Sequence, residues 1–296
     1  MKKIFIYIVI VGLLSRNGFS QKIDIIISSD AVPFLKIAES YENAIKTKGV
    51  PVVGKYNLKD KNAAEIANAI YLNNPDIVLT IGTKAAKMAK EKLEGKLMVY
   101  TGILNPEEFM ASESVGISLN MEEEKKFEKI SKYFISFKRC GIIYSSKSEK
   151  LVANIISFSA KFDISIVAVK INSTEEIHTA IDSLKNKIDF VYMITDTDIY
   201  SSNMVQEFLK NSLQNGLPVV GLSESYTKGG ALLSFDCDYE DLGAQAAEIT
   251  MLISKDLKSG HKEMPRKIVY TINKHVADIL NIEIKSEVLK DAKEVY

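Results

Sequence analysis

Short apolar runs alternate with amphipathic stretches along most of this chain. In the first half the runs begin near Ile23, Val52, Ile77, Leu97 and Val115, and residues 61–73 between two of them carry apolar positions at helical spacing. In the second half, runs near Gly141, Ile164, Phe190 and Pro218 are separated by helical patterns over residues 148–161, 174–184 and 198–214. Strands that alternate with helices predict parallel sheets covered on both faces. The expected fold is therefore α/β; because the second half repeats the plan of the first, it is expected as two doubly wound parallel-sheet lobes, which would hold a ligand cleft between them if they face one another.

The two halves echo one another. "DIIISSDA" at residues 24–31 is matched by "CGIIYSSK" at 140–147, "DIVLTIGT" at 76–83 by "DFVYMITD" at 189–196, and "KLMVYTG" at 96–102 by "LPVVGLS" at 217–223. Open parallel sheets bind ligands beyond the carboxyl ends of their strands, so these matched strand ends are the informative loops. They supply Ser28, Ser29 and Asp30; Gly82, Thr83, Lys84 and Ala85; Gly102 and Asn105; Tyr144, Ser145 and Ser146; Thr195, Asp196 and Thr197; and Ser223, Glu224 and Tyr226 as candidate ligand-binding residues, to which Asp236 is added.

Within that set, the strand ending at Gly82 turns directly into a helix, whose first amides lack intrahelical partners and attract anions. Either Thr83 caps a structural helix there, or the turn holds an anion. Neither G-x-G-x-x-G nor G-x-x-x-x-G-K-[ST] occurs, so a nucleotide phosphate has no fingerprint, and a carboxylate fits the turn as well. The second lobe places Asp196 where the first has Thr83. An α-amino acid carries charges of both signs that could match such a pair, and burying it requires partners for both.

The chain begins with Lys2 and Lys3, an apolar run over residues 4–14, and Gly18 and Ser20 at small-x-small spacing. That layout is expected of a signal peptide over residues 1–20, cleaved near Ser20, because the apolar run is shorter than the roughly 20 residues of a membrane span. No cysteine occurs in the first 30 residues, so a lipoprotein anchor is not expected and a periplasmic location is. The roughly 276 residues that follow suit two lobes.

Thirty-eight basic and 38 acidic residues balance, and without a basic stripe a nucleic-acid partner is not expected. The lysines and glutamates read as solvated helix faces. Cys140 and Cys237 make neither a disulfide framework nor a metal site, and Cys140, just ahead of an apolar strand, reads as a small buried residue. His178, His261 and His275 stand apart, so no cofactor or metal is expected.

Several stretches resemble the ABC-transporter substrate-binding protein family that includes tryptophan- and tyrosine-binding members. They are "IGTKAAKMAKE" at 81–91, "YTGILNPEE" at 100–108, "RCGIIYSSKSE" at 139–149, "VYMITDTDI" at 191–199, "PVVGLSESYTKGGALLSFDCDYEDLGAQAAEI" at 218–249 and the ending "VLKDAKEVY". The resemblance implies the type I periplasmic binding protein fold, with crossings between lobes near Asn120, Ser234 and Lys267. The lobes would then comprise residues 22–119 with 235–266, and 120–234 with 267–296. It implies that a ligand carboxylate meets Thr83, Lys84 and Ala85 and a ligand amine meets Asp196. Thr197 followed by Asp198 departs from the family's asparagine, and the loop Ser28, Ser29, Asp30 matches no aromatic-specific pattern.

The implied function is an extracytoplasmic solute-binding protein of an ABC importer, a monomer that delivers an amino acid, aromatic or branched, to an inner-membrane permease. The alternatives are a sensory protein presenting its solute to a receptor, and an enzyme using Asp196, Asp198, Glu224 or Asp236. The enzyme reading lacks a nucleophile, cofactor loop or histidine beside those carboxylates.

Overall fold

A computed structural model describes residues 21–104, 106–109, 114–253 and 260–296. The expected signal peptide and Asn105 lie outside the described residues. The first half runs β1 (Ile23–Ile27), α1 (Val32–Thr47), β2 (Val52–Asn57), α2 (Ala63–Asn73), β3 (Ile77–Ile81), α3 (Thr83–Lys92), β4 (Leu97–Ile103), α4 (Pro106–Phe109) and β5 (Val115–Ser118). Then follow α5 (Glu123–Tyr133), β6 (Arg139–Tyr144), α6 (Glu149–Ser159), β7 (Ser165–Lys170), α7 (Ile177–Leu184), β8 (Phe190–Tyr192), α8 (Ser202–Gln214), β9 (Val219–Gly221) and α9 (Glu224–Lys228). The chain ends with β10 (Leu233–Cys237), α10 (Tyr239–Ile253), β11 (Lys262–Glu263), β12 (Ile268–Ile272), α11 (Lys274–Ile279), α12 (Ser286–Lys290) and β13 (Glu294–Val295).

One sheet has the order β11-β5-β4-β3-β1-β2 and the other β13-β12-β10-β9-β8-β6-β7. Every pairing is parallel except β10 with β12. All residues of β1 and β3 are buried, as expected for strands covered by helices on both sides. The fold is α/β in two parallel-dominated sheets.

The chain leaves the second sheet later than Ser234. Phe235, Asp236 and Cys237 pair with Tyr270, Val269 and Ile268 in the second sheet, so the passage to the first lobe falls at Asp238. The residues assigned to the first lobe from 235 onward thus include three that belong to β10. Phe235 is 1 % exposed and packs into the core of the second lobe, which is the physical reason the strand continues.

The helix expected from Asp198 begins instead at Ser202. The amides of Ile199 and Tyr200 both donate to the Asp196 carbonyl, making a tight turn that holds Asp198 ahead of the helix. Cys140 and Cys237 are buried and unbridged.

Helix α10 packs closely against α1 on the first sheet. A Cβ on Gly243 would lie 2.4 Å from the Ile37 carbonyl oxygen and 3.0 Å from the Tyr41 nitrogen, so only glycine lets these backbones approach. Tyr41 then reaches across to Thr250, their hydroxyls 3.0 Å apart. Replacing Gly243 by alanine is expected to destabilise the fold by about 1 to 3 kcal/mol through overpacking. A lower thermal unfolding midpoint, read by circular dichroism, checks this; an unchanged midpoint contradicts the close approach.

Candidate ligand-binding site

Between the lobes lies a cavity of about 670 Å³. The second lobe lines it with Thr195, Asp196, Thr197, Tyr200, Ser223 and Tyr226, and with Glu123, Lys126, Leu151, Asn154 and Phe158 from α5 and α6. The crossing after β5 contributes Asn120 and Met121, the end of β10 contributes Asp236 and Cys237, and the first lobe contributes Leu104, Leu119, Tyr239 and Met264. Of the residues expected from sequence, six meet here: Thr195, Asp196, Thr197, Ser223, Tyr226 and Asp236.

Asp196 is 1 % exposed. Its carboxylate accepts the Ser145 amide at 2.8 Å, the Ser145 hydroxyl at 2.9 to 3.0 Å and the Asp198 amide at 3.2 Å, and also a hydrogen bond from the Ser148 side chain. Burial alone would raise its carboxyl, but these donors outweigh burial and hold it below the ordinary value of 3.8. Asp196 therefore stays ionised while pinning the turn after β6 to the loop after β8. Lys147, on that turn, donates to the Thr197 hydroxyl at 3.0 Å.

Ser28, Ser29, Asp30, Gly82, Thr83, Lys84, Ala85 and Gly102 do not line the cavity, though they gather at the carboxyl edge of the first sheet. Ser28 Oγ accepts the Ala85 amide at 2.9 Å and so caps α3 from another loop. That takes one of the amides expected for a ligand and leaves those of Thr83 and Lys84. Gly82 and Gly102 have φ of +86° and +73°, and a side chain on Gly82 would strike the Phe34 ring. Beside them, Thr101 Oγ1 is fully buried with no hydrogen-bond partner among the described residues. Asp30 turns instead to Asn57 and Lys59.

Tyr144, Ser145, Ser146 and Glu224 also stand outside the cavity wall. Glu224 accepts from Lys228 at 2.8 Å, Lys293 at 2.9 Å and the Tyr296 hydroxyl at 2.8 Å, and these bonds draw its carboxyl down to about 2. It tethers the C-terminal segment to α9.

Sequence reasoning missed the α5 face. Glu123 and Lys126, read as part of a solvated helix, form an ion pair at 2.8 Å with side chains only 14 % and 7 % exposed, and the Tyr192 hydroxyl donates to Glu123. The i,i+3 spacing of opposite charges was visible, but the burial comes from strand β8 beneath. Tyr239 was missed as well; it donates to Asp236 at 2.6 Å.

The sequence profile of a family described as ABC transporter substrate binding protein matches residues 23–296. The chain belongs to this family. It is 25 % identical to the tyrosine-binding protein of Clostridioides difficile (strain R20291), over 73 % of this chain and 67 % of that one. Its fold is similar to the ligand-free, open structure of a substrate binding protein with adhesive properties from Clostridium difficile, with a TM-score of 0.74 at 19 % identity, covering 93 % of this chain and 99 % of that one. It is also similar to an ABC domain in complex with L-Trp from Streptococcus pneumonia, with a TM-score of 0.64 at 20 % identity over 94 % and 100 % of the two chains. These likenesses establish the type I periplasmic binding protein fold. The family comprises substrate-binding proteins rather than enzymes, and is typically extracytoplasmic. No helix among the described residues is long and apolar enough to cross a membrane.

The Asp196 network has a pH signature. Because its folded carboxyl titrates below 3.8, the stability it contributes is fully present above that value and is lost as pH falls through the lower folded value. Asp196→Asn should cost about 2 kcal/mol or more at about pH 7, and that cost should shrink as pH falls below 3.8 toward the lower folded value. Urea unfolding followed from neutral pH into that acid range checks this, and a loss that does not change with pH contradicts it.

Proposed function

We propose that this protein is the extracytoplasmic solute-binding component of an ABC importer, that it binds one amino acid with an aromatic or branched side chain between its lobes, and that it delivers this solute as a monomer to a membrane permease. The observation that carries the reading is the make-up of the cavity. Its wall combines the rings of Tyr200, Tyr226 and Tyr239 with two buried carboxylates, Asp196 and Asp236, neither of which has a cation within ion-pair distance among the described residues. Buried carboxylates of that kind favour a ligand that brings its own positive charge, and tyrosines supply flat surfaces with a polar tip.

The first lobe supplies the other half. The α3 start retains the Thr83 and Lys84 amides beside the buried Thr101 hydroxyl, a set of donors suited to a carboxylate once hinge closure brings the lobes together. The tyrosine-binding relative and the L-Trp complex support an amino acid as the solute. The chain's opening charged and apolar pattern supports export, with residues 1–20 as the leader.

A thermal-shift screen of residues 21–296 tests the reading. Aromatic and branched amino acids should stabilise the fold by about 2.7 kcal/mol at a hundredfold excess over the dissociation constant. Their amides should lose most of that gain, since an uncharged amide gains less from the helix start and turns donors toward donors. Stabilisation by nucleotides or sugar phosphates, with none from amino acids, would overturn it.

A further inference from the structure

We propose that Asp236, rather than Asp196, receives the ammonium group of the bound amino acid. This rests on the amino-acid reading of the cavity and assigns a role within it. The two carboxylates differ in what they have left to offer.

A carboxylate has about four acceptor positions. At Asp196 four donors converge: the Ser145 amide, the Ser145 hydroxyl, the Ser148 side chain and the Asp198 amide. An ammonium arriving there would have to displace a bond that fixes the loops after β6 and β8. Asp196 is a positioning residue.

Asp236 is 6 % exposed and lines the same cavity. Its Oδ1 accepts the Tyr239 hydroxyl at 2.6 Å and the Cys237 amide at 2.9 Å, with the weakly donating Cys237 thiol at 3.8 Å, and the Glu224 amide is a third conventional donor. The Tyr239 hydroxyl and both Cys237 donors all fall on Oδ1, and with the Glu224 amide the one further donor, Oδ2 keeps at least one open acceptor position. The nearest cation, Lys293, influences Asp236 only at a distance, because its Nζ is held by Glu224 Oε2 at 2.9 Å. Burial, opposed by Tyr239, the Cys237 amide, Lys293 and the Glu224 amide, leaves the carboxyl above its ordinary value, so a cation placed there relieves a standing desolvation cost.

The position also suits a protein that closes. Asp236 sits on β10, the last strand before the chain passes to the first lobe, and Tyr239 is the first residue of α10, which packs on that lobe. An ammonium at Asp236 would sit where the lobes join, beside a hydroxyl belonging to the moving side.

The test compares each amino acid with its des-amino analogue: L-tryptophan with indolepropionate, and L-leucine with isocaproate. Titrations of residues 21–296 and its variants give the ratio of affinities; for the indole pair, ligand fluorescence serves, since the chain has no tryptophan. The wild type should prefer the amino acid by at least about tenfold. Asp236→Asn should lose about thirtyfold for the amino acid and bring the ratio near one, as expected when one partner of a buried charge pair is removed. Asp236→Glu, which keeps the charge, should retain part of the preference and shows that loss in the asparagine variant is not misfolding. Asp196→Asn should weaken both members of a pair alike. A ratio kept by Asp236→Asn, or erased by Asp196→Asn alone, overturns the assignment while leaving the amino-acid reading intact. A wild type that binds no amino acid overturns both.

Discussion

Parallel strands buried on both faces leave a lobe one place for polar chemistry, the edge beyond their carboxyl ends. In this protein β1, β3, β4, β6, β8 and β9 all run the same way within their sheets, so each delivers its loop to that edge. Everything else in the site follows from that constraint. Ser28 can cap α3 because β1 and β3 are hydrogen-bonded neighbours ending in register at Ile27 and Ile81. Ser145 can hold Asp196 because β6 and β8 stand side by side in the same way.

The matched cross-loop bonds show how the two halves diverged within one plan. In the first lobe a serine hydroxyl satisfies a helix amide; in the second a serine amide and hydroxyl satisfy a carboxylate. One edge therefore keeps spare donors and the other keeps buried negative charge. A buried lysine and glutamate, Lys126 and Glu123, add a neutral pair at the floor beside Tyr192, where the paired charges and the tyrosine hydroxyl satisfy one another.

The alternation of apolar runs and helical patterns made the sheets legible, because a parallel strand covered on both faces needs a continuous apolar run. The end of the second sheet was less legible. In β10, Leu233, Phe235 and Cys237 alternate with Ser234 and Asp236, a pattern that serves either a linker or a strand until Tyr270 and its neighbours arrive to pair with it. The saturation of Asp196 was hidden too, since its donors Ser145 and Ser148 lie about fifty residues upstream. Glu224 looked like a cleft residue from its loop, but its partners Lys293 and Tyr296 come from a segment whose placement depends on β13 joining β12.

The close contact of α1 with α10 across Gly243 has a consequence for the order in which the chain can fold. The core of the first lobe holds Ile37 and Tyr41 together with Leu242, Ala246 and Ile249, residues separated by the rest of the first sheet's strands up to β5 and by the second lobe from α5 through β10. A chain made from its N-terminus exposes β1 to β5 long before α10 exists to cover them. The first lobe can be completed only after the second has emerged through β10, so loop closure over some two hundred residues precedes the burial of that face, a separation that slows folding. Until then the apolar surface of α1 and the first sheet stays open, and a partner that keeps nascent chains unfolded would find its longest-lived target there.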